Sequence, residues 1–334
     1  MGSSLIEILI DKAKSYSCRV AFPECDAVNT LLAARTILDS GIGKPVLVSD
    51  PIVIQATAQD AGVSLEGMNI VDINDEASRN GLIEKYMLES RALSEKAYRR
   101  KIKNPLYYAM MLEAVGDLDC TFCGHVNTTG DVLLTALDVI GMQEGVETAS
   151  VFSLMEVPGF EGPEGDQIVL ADCGLNTSPT PGELAGIAIA TCDNVRALMG
   201  WEPRAAFLSF STLGSGDAES VNRIVEALNI AKERRPDLKM DGEFQLDAAI
   251  DRKVATNKVK RPSEVAGRAN ILIFPELNAA NIGVKLIQRF AHGKGYGHTL
   301  SGLRFPVADS SRSATVEEMV GDIAMLIIAA SNQR

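Results

Sequence analysis

The chain has 334 residues, a net charge of −12, 46% hydrophobic and 23% charged residues. That is ordinary globular usage over a length that favours two domains, and the negative charge argues against nucleic acid or an anionic membrane as a partner. No apolar run reaches the roughly 18 residues of a membrane span, and charged residues break up Leu5–Ile10, so no signal peptide is expected and a cytoplasmic location follows.

Short β-rich runs alternate with longer helical patterns, which predicts a largely parallel sheet covered by helices. Strands are expected at 19–24, 44–49 and, more weakly, 69–72, with helices at 28–38 and 51–62. The charged stretch 80–100 reads as one long exposed helix or two broken ones. A helix at 105–115, a buried strand at 118–124 and a helix at 128–140 follow. Two strands, 148–156 and 166–175, flank the Gly/Pro-rich 158–165, which is hairpin chemistry. Beyond them the pattern predicts helix 181–199, strand 205–211, helix 219–233, strand 271–275, helix 278–290 and a last helix from 316 to 330. Domain boundaries are expected in tight connections near 145–148 and 293–301. The Gly293–Gly297 stretch reads as a hinge, since it lacks the phosphate-loop spacing.

The six cysteines are scattered through apolar stretches and read as reduced core thiols, Cys120-x-x-Cys123 included. The segment from Pro306 to Glu318 places hydroxyls, Arg312 and carboxylates in a loop entering a helix, where unpaired N–H groups and the dipole suit a phosphate. Thr315-x-x-Glu318 also fits a capping box, which explains Glu318 without catalysis. Ser209–Gly216 and Cys123–Asp131 follow the same logic of strand, polar loop and helix, the usual ligand end of an open α/β sheet. His125 in that second loop reads as a hydrogen-bonded structural residue. Asp247 and Asp251 lie four residues apart on an expected helix and fit either a Mg²⁺ or Mn²⁺ site or a solvated face.

Taken in order, Phe22-Pro-Glu24, Asn127-Thr-Thr129, Ala171-Asp-Cys173, Leu208–Thr212, Asp241–Ala248, Phe274–Asn278 with Asn281-Ile-Gly283, Lys285 and Gln288-Arg289, and Asp309-x-Ser311-Arg312 resemble blocks of the phosphate acetyl/butyryltransferase family. The resemblance implies a two-domain, three-layer α/β/α fold like that of isocitrate and isopropylmalate dehydrogenases. It implies a first domain of residues 1–147 plus 298–334, a second of 148–297, an active site in the cleft between them, and a homodimer. It further implies reversible conversion of acetyl-CoA and phosphate to acetyl phosphate and CoA, with coenzyme A as substrate, no tightly bound cofactor and no metal. Ser311, Arg312 and Glu318 would then be catalytic, and Arg91, Arg289, Thr128, Thr129 and Asn281 would bind substrate. Glu318 stands where the family usually has Asp, Leu134 and Asn29 where it has arginines, and Ser313-Ala314 where it has Gly-Cys. Three alternatives stay open: a propionyl or butyryl substrate, a metal- and NAD-dependent decarboxylating dehydrogenase on the related fold, and a non-catalytic CoA-binding homologue.

Overall fold

The computed structural model describes residues 4–88 and 92–332. In chain order the first segment carries α1 (Leu5–Ala13), β1 (Arg19–Phe22), α2 (Val28–Asp39), β2 (Lys44–Ser49), α3 (Pro51–Ala61), β3 (Asn69–Asp72), α4 (Glu76–Tyr86), α5 (Glu95–Lys101), α6 (Pro105–Ala114), β4 (Cys120–Cys123) and α7 (Thr129–Val139). The middle carries β5 (Ser150–Glu156), β6 (Gln167–Ala171), α8 (Pro181–Met199), β7 (Arg204–Leu208), α9 (Glu219–Arg234), β8 (Lys239–Phe244), α10 (Leu246–Ile250), α11 (Arg252–Lys258), β9 (Ile271–Ile273), α12 (Leu277–Phe290) and β10 (Lys294–Tyr296). The chain ends with β11 (Leu300–Ser301), β12 (Val307–Asp309) and α13 (Val316–Asn332). Two compact units result, Met1–Glu144 with Gly297–Arg334, and Gly145–Tyr296.

The first unit is built on the parallel order β12-β4-β1-β2-β3. Its central strands are buried on both faces, as a parallel sheet between two helical layers requires. α13 packs against α1, α2, β4 and β12, while α6 packs against β1, β2, β4 and α7. α13 is apolar almost all round, from Met319 to Ile328, and is accordingly buried. In the second unit the strand order is β10-β5-β6-β9-β7-β8; β5 pairs antiparallel with β6 and β10, and β6, β9, β7 and β8 run parallel.

Several expectations shift. The charged 80–100 stretch follows the second of its two readings, with helices α4 and α5 each carrying its own cap, Asp75 and Ser94. The expected helix containing Asp247 and Asp251 is a strand followed by two short helices, because Asp251 interrupts the run to cap α11, accepting from the N–H groups of Lys253 and Val254. Part of the Gly293–Gly297 hinge is β10, an edge strand on β5. Residues 307–309, read as loop, extend the first sheet as β12 beside β4.

Candidate active site

β12, β4 and β1 are neighbours, so the loops leaving their carboxyl ends lie side by side, where open α/β sheets hold ligands. Glu24, just past β1 and 2% exposed, ties two of these loops together. Its Oε1 accepts from the N–H groups of Gly124 (3.0 Å) and Asn127 (2.8 Å) and from Asn127 Nδ2 (2.8 Å), while Oε2 accepts from the His125 N–H at 2.8 Å. Gly124, at φ +92°, permits the third loop to approach. A Cβ there would stand 2.3 Å from Asp309 Oδ1 and 2.7 Å from the Ser310 nitrogen. Ser310 N–H donates to the Cys123 carbonyl at 2.8 Å, and His125 Nδ1 lies 3.2 Å from the Ser311 carbonyl oxygen. His125 thus has the structural role expected of it.

The Ser311-Arg312 loop is held from below as well. Asp322, buried in α13, accepts from the Gly297 N–H (2.8 Å) through Oδ1 and from Ser310 Oγ (3.1 Å) through Oδ2, with His298 Nδ1 3.4 Å from Oδ1. Burial alone would lower the His298 pKa, but the Asp322 carboxylate beside it, with Asp309 and Glu318 beyond, outweighs that, and the pKa is raised. Asp309 is also buried. Desolvation lifts its carboxyl to about 6, against the pull of the Thr129 hydroxyl and of His298, and its Oδ1 has no hydrogen-bond partner among the described residues.

Above this support the side chains of Ser311 and Arg312 are exposed. Ser311 Oγ lies 3.1 Å from Ser313 Oγ and accepts the Ser313 N–H at 3.3 Å. Arg312 has no carboxylate partner among the described residues. Glu318 does form the capping box: its Oε2 accepts from the Thr315 N–H (2.8 Å) and hydroxyl (3.0 Å), and its own N–H donates to Thr315 Oγ1 at 3.2 Å. Thr128 caps α7, accepting the Asp131 N–H at 3.2 Å, and Thr129 opens that helix with its hydroxyl on Asp309. Leu134 projects from α7, 56% exposed.

The structure therefore brings Ser311, Arg312, Glu318, Thr128 and Thr129 to adjoining loops and helix starts of one sheet. Arg289 and Asn281 lie on α12 in the second unit, Arg289 exposed and Asn281 donating to the Cys173 carbonyl at 3.4 Å. Arg91 lies outside the described residues. Sequence reasoning gave no role to Glu24, Asp309, His298 or Asp322. Glu24 stands two residues past β1 and Asp309 is the last residue of β12, placements whose partners lie far away in sequence, and nothing local marked the His298–Asp322 pair. Asp247 bonds Lys258 at 2.7 Å and Asp251 is an N-cap, so both carboxylates of the alternative metal site have protein partners. All six cysteines are buried and free, and burial raises the thiol pKa of Cys25 and Cys192 to about 12.

The family model for phosphate acetyl/butaryl transferase matches residues 4–328. A phosphate acetyltransferase of Acetivibrio thermocellus is 38% identical over 329 residues, covering 98% of each chain. Among solved structures, a phosphotransacetylase of Streptococcus pyogenes superposes with TM-score 0.87 at 28% identity, over 98% of this chain and 99% of that one. The EutD phosphotransacetylase of Staphylococcus aureus gives TM-score 0.83 at 28% identity, over 99% and 100%.

Proposed function

The chain belongs to the phosphate acetyl/butaryl transferase family, and from that premise we propose that it is a phosphate acetyltransferase interconverting acetyl-CoA plus phosphate with acetyl phosphate plus CoA, and that its catalytic centre is the Ser311-Arg312 loop with Glu318. The observation that carries the site is an exposed guanidinium without a carboxylate partner among the described residues beside an exposed hydroxyl, on a loop whose backbone is pinned from three sides.

In the direction of acetyl-CoA synthesis, the CoA thiol has an ordinary pKa of about 8.5 and is mostly protonated at neutral pH, so a base must remove its proton as sulfur attacks the acetyl carbonyl. Glu318 supplies it. Its Oε2 is held by the cap, and Oε1, which takes no protein hydrogen bond among the described residues, is left to accept the proton. Ser311 Oγ donates to the sulfur as charge gathers there; with no histidine base bonded to it, this suits it better than a nucleophilic role. As the C–O bond to phosphate breaks, the leaving group takes up negative charge. A bidentate Arg312 offsets it, a contact worth about 2–4 kcal/mol in the transition state. Thr128 and Thr129, and from the second unit Arg289 and Asn281, are proposed substrate contacts, as is Arg91. In the reverse direction phosphate attacks the thioester and Glu318 returns the proton to the departing thiolate.

Arg312→Ala tests the assignment. Phosphate-dependent thiol release from acetyl-CoA should fall at least a hundredfold with thermal unfolding unchanged, and unchanged turnover refutes the site. Running propionyl- and butyryl-CoA beside acetyl-CoA fixes the acyl preference.

A homodimer is part of the proposal. Ile282, Leu286 and Phe290 recur every fourth residue along α12 and are 57%, 49% and 81% exposed, an apolar stripe that a second copy would cover. Leu286→Glu should shift the mass measured by light scattering to that of one chain; an unaltered dimer excludes this face. No helix among the described residues is long and apolar enough to cross a membrane. A cytoplasmic setting, proposed with the rest, agrees with free buried thiols.

A further inference from the structure

The second unit contains a basic cavity that the proposed chemistry does not use. It measures about 270 Å³ and is lined by Arg252, Thr256, Arg261, Ser263 and Arg268 over an apolar floor that includes Ala255 and Val259. Between residues 252 and 268, six basic side chains (Arg252, Lys253, Lys258, Lys260, Arg261, Arg268) stand against a single acidic one, Glu264. Asp241 and Asp247 offset Arg261 and Lys258, which leaves Arg252, Lys253, Lys260 and Arg268 against Glu264 and Asp251, a local surplus of two positive charges in a chain whose total is −12. A field of this sign in an acidic protein selects for an anion at that spot.

The arginines are placed by the fold. Arg261 makes a fork-to-fork pair with the buried Asp241 of β8 (Nη2–Oδ1 2.7 Å, Nη1–Oδ2 2.8 Å), and Ser263 Oγ donates to the same carboxylate at 2.6 Å. Desolvation would raise the Asp241 pKa, but these bonds and Lys232 outweigh it and keep the group ionised. Gly267, at φ +69°, allows its turn to lie directly on α11, where a Cβ would meet Arg252 Cα at 2.8 Å and Ala255 Cβ at 2.9 Å. That close approach sets Arg268 next to Arg252. Arg268 Nη2 donates to the Ser263 carbonyl at 3.2 Å. Neither Arg252 nor Arg268 has a carboxylate within 4 Å among the described residues, so both forks can still bind an anion.

We propose that this cavity, formed by Arg252, Arg261, Arg268 and Thr256, is a second anion site of the protein, binding a phosphate monoester with a small organic group. Two guanidinium groups without a carboxylate partner, Arg252 and Arg268, match the acceptors of a phosphate dianion, and the apolar floor takes the organic part. Within the second unit its place separates it from the proposed substrate contacts. Asp241 lies on β8 at one end of the strand order, whereas α12, which carries Asn281 and Arg289, packs on β6 and β10 toward the other.

Titration calorimetry at low ionic strength with glycerol 3-phosphate tests this on the full chain, using the wild type, R252A/R268A, R312A and K253A/K260A. The last removes as much charge from the same segment without touching the cavity lining. Saturable binding is expected in the wild type, unchanged in R312A, altered less than threefold in K253A/K260A and at least tenfold weaker in R252A/R268A. R268Q alone serves as a second arm if the double variant unfolds, with at least a threefold loss expected. No saturable binding by the wild type, full binding by R252A/R268A (or by R268Q in its place), loss in R312A, or equal weakening in K253A/K260A would overturn the assignment.

Discussion

Glu318 carries two duties that substitutions can separate. As a cap residue it accepts two hydrogen bonds from Thr315 at 2.8 and 3.0 Å and returns one at 3.2 Å, closing the first turn of a helix that forms the core of its unit. As the proposed base it takes the thiol proton. Glu318→Gln keeps an amide oxygen in place of the capping Oε2 but removes the basic carboxylate. The structure therefore predicts a stability change well under the 0.5–2 kcal/mol or so of a lost N-cap. Turnover should fall by about 10²–10⁴. Thr315→Ala does the reverse: it deletes the hydroxyl that makes the 3.0 and 3.2 Å bonds, costs about 1 kcal/mol and lowers the melting temperature by a few degrees. Its effect on turnover should stay within about tenfold, the part due to a less firmly oriented carboxylate. Thiol release from acetyl-CoA with phosphate, beside thermal unfolding of the three proteins, reads both quantities. If Glu318→Gln retains more than a tenth of wild-type turnover, or if Thr315→Ala loses as much activity as Glu318→Gln, then Glu318 is a cap and nothing more.

Two further predictions concern buried titratable groups. Glu113 is buried in α6, accepting among the described residues only the Thr121 hydroxyl, at 2.6 Å, and burial lifts its pKa to about 8. A carboxyl raised in the folded state contributes stability that is complete below its unfolded pKa, near 4.5, and lost as the pH rises through about 8. Glu113→Gln should therefore be more stable relative to wild type at pH 9 than at pH 5 in urea unfolding, and an equal difference at both would refute the reading. His298, raised by Asp322, Asp309 and Glu318 against burial, contributes stability present below its ordinary value of about 6.5 and lost as the pH rises through the higher folded value. Following the imidazole by NMR should show titration above 6.5, shifted down in Asp322→Asn; a wild-type value at or below 6.5 contradicts the pair.

Much of the fold was legible because the period of the apolar residues was clean. Runs such as Pro45–Val48, apolar at every position, and Cys120–Cys123, interrupted only by Thr121, mark strands buried on both faces, and Pro181–Met199 opens with a Thr180/Glu183 capping box at its start. What escaped were elements whose identity depends on distant partners. Val307–Asp309 is a strand only because β4 pairs with it, and Lys294–Tyr296 only because β5 does. Lys239–Phe244 hides its strand character behind the charged pattern Asp-Gly-Glu, whose carboxylates are buried against Arg261, Ser211 and Gly214. The candidate site divides in the same way. Ser311, Arg312 and Glu318 sit within one short segment, a loop and the first turn of α13, and announce themselves. Glu24, which accepts N–H groups more than 100 residues away in sequence, and Asp322, which reaches back to Gly297 and Ser310, become visible only when the sheet assembles them.

The central claim is phosphate-dependent acyl transfer from a thioester, and the purified protein tests it directly. Mixed with acetyl-CoA, it should release free thiol only when phosphate is added, with acetyl phosphate accumulating in equal amount; thiol release that does not depend on phosphate, or none with any short acyl-CoA, would contradict it.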